Sequence, residues 1–142
     1  MSGSILYFDC FTGIAGDMAT AALLSLTGAE KELRKALKGV PLSGYRLAVE
    51  RAASCGMAGT RVHVNVSGGA KHARHLPDIV ALLRASSLSG ETLSRAIRCF
   101  ELLGAAEAKV HGTSIDKVHF HEVGAVDAIV DIVSGCFLFE AA

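Results

Sequence analysis

The segment from Gly124 to Val133 restricts the fold more than any other part of the chain. Ala125, Val126, Ala128, Ile129, Val130, Ile132 and Val133 make a helix apolar on nearly all sides, and such a helix belongs in the interior. Two carboxylates interrupt it. Asp127 and Asp131 stand at i and i+4, on one face of the cylinder. A buried carboxylate is costly unless it is hydrogen-bonded, paired or metal-bound, and the helix N-terminus ahead of Asp127 only partly offsets that cost. Something positive is therefore expected opposite the two acids. The candidates are a salt bridge to Lys109, Lys117 or Arg98, a metal ion, or a hydrogen bond to an imidazole that binds one.

The rest of the chain can enclose such a helix. A chain of 142 residues buries roughly 68 to 70% of its unfolded surface. With 51% hydrophobic against 20% charged residues it lies far from the disordered class. Fourteen Lys and Arg balance fourteen Asp and Glu without any basic block, which argues against a nucleic-acid partner. Met1 to Phe8 has no positive leader region, and no 18-residue apolar stretch is free of charge. The expectation is a cytoplasmic protein with no membrane partner. Cys10, Cys55, Cys99 and Cys136 form no C-x-x-C pair, so they read as buried, reduced thiols, with Cys10 held apart because of the motif around it.

Periodicity places the elements. Ser4 to Asp9 predicts a short buried strand that turns through Gly13 and Gly16 into a helix over Asp17 to Leu26. A second helix covers Ala29 to Lys38, with Thr27 and Glu30 as a possible capping box. Tyr45, Leu47 and Val49, then Val62, Val64 and Val66, alternate as two paired strands joined by a loop longer than two residues between Ser54 and Gly59. A glycine-led surface loop carries Lys71, His72, Arg74 and His75. Helices follow beside Pro77, from Ser89 to about Val110, and from about Gly124 onward. The order predicts an α+β fold: a small mixed sheet with helices packed on one face and a helical C-terminal half.

Three groups of residues carry potential chemistry. In His119-Phe120-His121-Glu122, an extended backbone would set the two imidazoles on one face about 6.6 Å apart. Imidazole with carboxylate suits nickel, zinc, iron or copper, although histidines at a polar edge can have the same spacing. Asp127 and Asp131 follow as supporting acids. In the second group, Asp9, Gly13, Gly16 and Asp17 surround a turn whose free N–H groups suit an anion. Its two carboxylates favour a cation, or Asp17 caps the helix. In the third, His72 and His75 sit among Lys71 and Arg74, suited to passing a metal inward or attracting an anionic substrate, or simply to solvation.

Leu6 to Met18, His72 to Ile79, and Glu107 to Thr113 running on through Val118 to Ile132 together resemble the LarC family, the nickel-insertion proteins of the lactate racemase system. The departures are Thr12, Ala15 and Ala128 in place of serine and Ala73 within the histidine stretch. None removes a candidate ligand. The resemblance implies a metallochaperone-like lyase that loads Ni2+ into a pyridinium bis-thiocarboxylate mononucleotide, forming carbon–nickel and sulfur–nickel bonds at the expense of CTP. It also implies a longer protein, so residues 1–142 read as a single N-terminal domain, a fragment or truncated copy. CTP with Mg2+ or Mn2+ would then be bound by the C-terminal portion, itself an expected partner alongside the cofactor precursor and a possible homo-oligomer. Carried onto this chain, the metal candidates are His119, His121, Glu122, Asp127 and Asp131, and the cofactor-binding candidates are Asp9, Gly13, Gly16, Asp17, His72 and His75. Two other readings stay open: a metal-dependent hydrolase in which His119 and His121 hold a water-activating ion, and a non-catalytic assembly module.

Overall fold

The structure, a computed structural model, describes residues 5–67, 74–120 and 124–142, and the side chain of His119 also lies outside what it describes. The expectations placed on Lys71, His72, His121 and Glu122 therefore fall outside the described residues. Among those residues run α1 (Gly16–Thr27), α2 (Glu30–Lys38), β1 (Tyr45–Ser54), β2 (Met57–Val66), β3 (Arg74–His75), α3 (Leu76–Arg84), α4 (Gly90–His111), a short 3-10 turn (Ile115–Lys117), β4 (His119–Phe120) and α5 (Val126–Ala141). The class is α+β with a helical C-terminal half, and the strands form two antiparallel ribbons, β1 with β2 and β3 with β4.

The apolar helix is the centre of the molecule. Ile129, Val130, Val133 and Leu138 of α5 are buried to 1% exposure or less, and α5 packs on α1, α2, α4 and β2. Full burial of each such side chain contributes about 1.5–3 kcal/mol. Val62 and Leu47 turn the inner face of the β1–β2 ribbon toward this core, while Glu50, Arg61 and His63 lie exposed on β1 and β2. Phe100 of α4 meets Phe120 of β4 edge to face, with ring centroids 6.4 Å apart. That contact pins the short β4 strand to the helical layer.

Several local expectations change. Residues 5–9 form no strand, and Ile5 and Tyr7 are 91% and 80% exposed. A strand is held by its ladder partner, and no described segment pairs with this one. Ala29, with no side-chain cap, stands before α2. Thr27 instead finishes α1, donating to the Leu23 carbonyl at 2.8 Å and accepting from the Ala29 N–H at 3.3 Å. The β1–β2 loop is two residues long, because Cys55 (φ 50°) and Gly56 (φ 78°) both adopt the left-handed conformation of a tight hairpin turn. Cysteine is not a residue that advertises that conformation. Cys55 is exposed, against the expectation of a buried thiol, and Cys10, held apart from that expectation, is exposed too, whereas Cys99 is half-buried and Cys136 buried. Ser89 caps α4 as expected, accepting the Thr92 N–H at 3.2 Å. No described helix is long and apolar enough to cross a membrane.

Candidate functional site

The glycine turn and the apolar helix, far apart in sequence, meet at the contact of α1 with α5. Gly16, in the first turn of α1, lies so close to Asp131 that a Cβ on it would stand 2.8 Å from the Asp131 Cβ and 2.9 Å from Oδ2. Glycine is needed there for space rather than for its backbone angles. Asp17 follows in the same turn. Its Oδ1 takes the Met18 N–H at 2.8 Å, and Ala15, not Asp17, is the N-cap. Asp127 stands exposed in the first turn of α5.

Three carboxylates thus share one region without a counter-charge among the described residues. The Asp131 pKa is pushed up to about 6, first by burial and then by the negative charges of Asp17 and Asp127. Among the described residues, no ion pair reaches Asp127 or Asp131, and Arg98 instead pairs with Glu101 at 3.6 Å. The salt bridge to Lys109, Lys117 or Arg98 considered for these acids is not formed. Asp131 Oδ1 is buried with no hydrogen-bond partner among the described residues, as are Thr20 Oγ1 on α1 and Ser134 Oγ on α5. Orphaned polar atoms of this kind are rare and costly. Thr20 and Ser134 were not singled out from sequence. The available signal was their spacing, four residues from Gly16 and three from Asp131, each on one helix face.

The histidine groups also come together. In the β3–β4 ribbon His75 stands directly opposite His119, and Arg74 opposite Phe120. The His75 ring is oriented by its Nδ1, 3.0 Å from the Val118 carbonyl, and its backbone N–H donates to Asp78 Oδ2 at 3.1 Å. A carbonyl accepts only, so Nδ1 is the donor in this contact. Arg74 donates from Nη1 to the Gly124 carbonyl at 2.7 Å, tying this ribbon to the turn that enters α5. Gly124 is a further close approach, where a Cβ would lie 2.8 Å from the Phe120 carbonyl oxygen.

Not every candidate joins. Asp9 lies exposed outside any helix or strand, and Gly13 closes a turn onto the Cys10 carbonyl at 2.9 Å. Among the described residues, no three or more His, Cys, Asp or Glu side chains are grouped tightly enough to hold a metal ion. What is present is an acidic, undersatisfied helix contact and a histidine-bearing ribbon, joined through Arg74 and Gly124.

The sequence profile of a family described as nickel insertion protein matches residues 6–142. A relative from Geobacter metallireducens is 52% identical over 131 residues, covering 91% of this chain and 33% of the relative. A Desulfitobacterium hafniense protein is 44% identical over 133 residues, or 94% of this chain and 33% of its own length. One from Staphylococcus epidermidis is 40% identical over 135 residues, 95% of this chain and 34% of its own. The last two are named pyridinium-3,5-bisthiocarboxylic acid mononucleotide nickel insertion protein. This chain spans about a third of the length of these curated relatives. No solved structure matches it. With the profile running along nearly all of its length, the chain belongs to the nickel insertion protein family.

Proposed function

We propose that this chain is the metal-receiving part of a protein that inserts nickel into pyridinium-3,5-bisthiocarboxylate mononucleotide, the nickel-pincer cofactor of lactate racemase. Nickel is cargo in this reaction and the mononucleotide its acceptor. The CTP-dependent step, with its Mg2+ or Mn2+, is assigned to the remaining two-thirds of the protein. The single observation that carries the reading is Asp131: a carboxylate with a buried oxygen that, among the described residues, has no partner and faces two further acids instead of a cation.

A divalent ion is the charge that such a site lacks. Carboxylate oxygen and imidazole nitrogen hold Ni2+ reversibly, and thiocarboxylate sulfurs are softer donors able to take it from them. Asp131, Asp17 and Asp127 supply the oxygens. His75, with Nδ1 held by a carbonyl, has the orientation common to ligating histidines. His119 stands beside it in the ladder, and His121 and Glu122 complete the proposed donor set. Delivery then follows from ligand exchange, the hard set releasing Ni2+ to the softer thiocarboxylate sulfurs.

A calorimetric Ni2+ titration tests this on the parent chain, on Asp131→Asn and on the double variant His75→Ala with His119→Ala. The parent should bind Ni2+, and each variant should lose at least tenfold in affinity. Unchanged affinity in both variants rejects the site.

A further inference from the structure

A groove of about 400 Å³ lies beside the acidic contact, between α1 and the tip of the β1–β2 ribbon. Asp17 lines it as well as facing Asp131, so one carboxylate belongs to both places. The groove is within the size range of small-ligand sites. Its wall is made of small side chains, among them Ala21, Ala52 and Ala53, with Met18 and Met57 at its sides. The two methionines are 54% and 74% exposed. Thioethers beside an open slot suit an aromatic ring, which sulfur contacts favourably.

Gly59 also lines the slot, and the fold does not call for glycine at this position. It sits within β2 opposite Ala52, no positive φ is recorded for it, and a Cβ on it would meet nothing within 4 Å. Glycine weakens a strand interior, and where neither backbone nor packing requires it, it marks a place that a ligand approaches closely. Apart from Val62, the remaining lining residues are charged or polar. Arg61 and His63 line the groove on β2. The present partner of Arg61 is Glu50, at 3.6 Å with both side chains about half exposed, a weak surface pair that a phosphate can replace.

We infer that this groove docks the pyridinium mononucleotide, with its phosphate toward Arg61 and His63 and its ring along Gly59 between Met18 and Met57, against Asp17. The choice of ligand rests on the nickel-insertion reading; the existence of a ring-and-phosphate site rests on the groove itself. Asp17 then stands where metal and acceptor meet, its negative charge matched to the cationic ring.

The test uses nicotinic acid mononucleotide, a pyridinium carboxylate with the same sugar phosphate, titrated calorimetrically into the parent chain, Gly59→Phe and Arg61→Ala. Phenylalanine suits a strand and fills the open space, so Gly59→Phe should keep or raise the thermal midpoint while binding falls at least tenfold. Arg61→Ala should lower affinity severalfold and flatten its salt dependence. Both variants should keep the parent's Ni2+ affinity, whereas Asp131→Asn should lose Ni2+ and keep the mononucleotide. The inference is overturned if the parent does not bind the mononucleotide at millimolar concentration, if Gly59→Phe binds it unchanged, or if ribose 5-phosphate binds equally well. Loss of Ni2+ binding alone would count against the metal site and leave the groove standing.

Discussion

Two carboxylates of helix α5, Asp131 along its length and Glu140 near its C-terminal end, are treated in opposite ways. Glu140 accepts hydrogen bonds from the hydroxyls of Thr92 and Ser89, the latter at 2.7 Å. Those bonds, led by Thr92, hold its pKa below the usual value. Asp131 has a buried oxygen with no partner among the described residues and two acids nearby, and its pKa rises to about 6. The sequence supplied capping hydroxyls for the exposed acid and none for the more buried one. An acid left in that condition at the centre of a well-packed helix is more readily explained by a ligand than by stability, because Asp131→Asn would remove the repulsion at little steric cost.

Three changes to the protein would break or sharpen that contrast. The largest effect belongs to Gly16→Val. Its Cβ would lie 2.8 Å from the Asp131 Cβ, which cannot swing away as a side-chain tip can, so α1 and α5 must separate. A loss of about 1–3 kcal/mol is expected from such overpacking, read as a lowered denaturant midpoint. A midpoint equal to that of the parent would mean the helices do not meet as described.

Next is the pH dependence of Asp131. Folding favours its protonated form, since the folded-state value of about 6 lies above the ordinary aspartate value of 3.8. Its contribution to stability is therefore full below about pH 4 and is lost as pH rises through about 6. Asp131→Asn should leave stability unchanged near pH 4 and raise it at pH 8. Because the residue is only half-buried, solvent screening reduces the gain to about 1 kcal/mol. Urea unfolding at the two pH values measures this, and equal curves at pH 8 would show that the acid is satisfied after all. Saturating Ni2+ should raise the stability of the parent at pH 8 and leave Asp131→Asn nearly unaffected.

The smallest expected effect lies at the C-terminal end of α5. Ser89→Ala removes the α4 cap and one of the bonds to Glu140 and should cost about 1 kcal/mol, with no change in Ni2+ affinity. A change in metal binding there would erase the distinction between the two acids.

Much of the fold was legible in the residues. The apolar periodicity of α5, the Ser89 cap, the Pro77 start and the Val62–Val66 alternation each state a local preference that the structure keeps. The failures are equally local in cause. Ile5 to Phe8 has the composition of a strand but no ladder partner among the described residues, and the Cys55–Gly56 turn depends on a cysteine accepting an angle it seldom takes. Of the candidate site, the residue types could be read, whereas the grouping could not. His72, His121 and Glu122 lie outside the described residues, while Asp17 joined Asp127 and Asp131, and His75 joined His119. Gly59 was passed over as part of a loop, because its meaning appears only when the empty space above it is seen.

By itself the sequence determined where helices start and stop, which faces are apolar, and which side chains have the chemistry to bind a metal. These depend on backbone preference and on spacings of two to four residues, and such interactions are encoded within a single turn or strand. Tertiary structure alone decided that Gly16 lies against Asp131, that no cation among the described residues faces the acids, and that a slot stays open between α1 and the ribbon. Those facts come from how whole elements pack. Contacts between distant residues are set by filling a shared core at high density, and no short stretch of sequence contains that information.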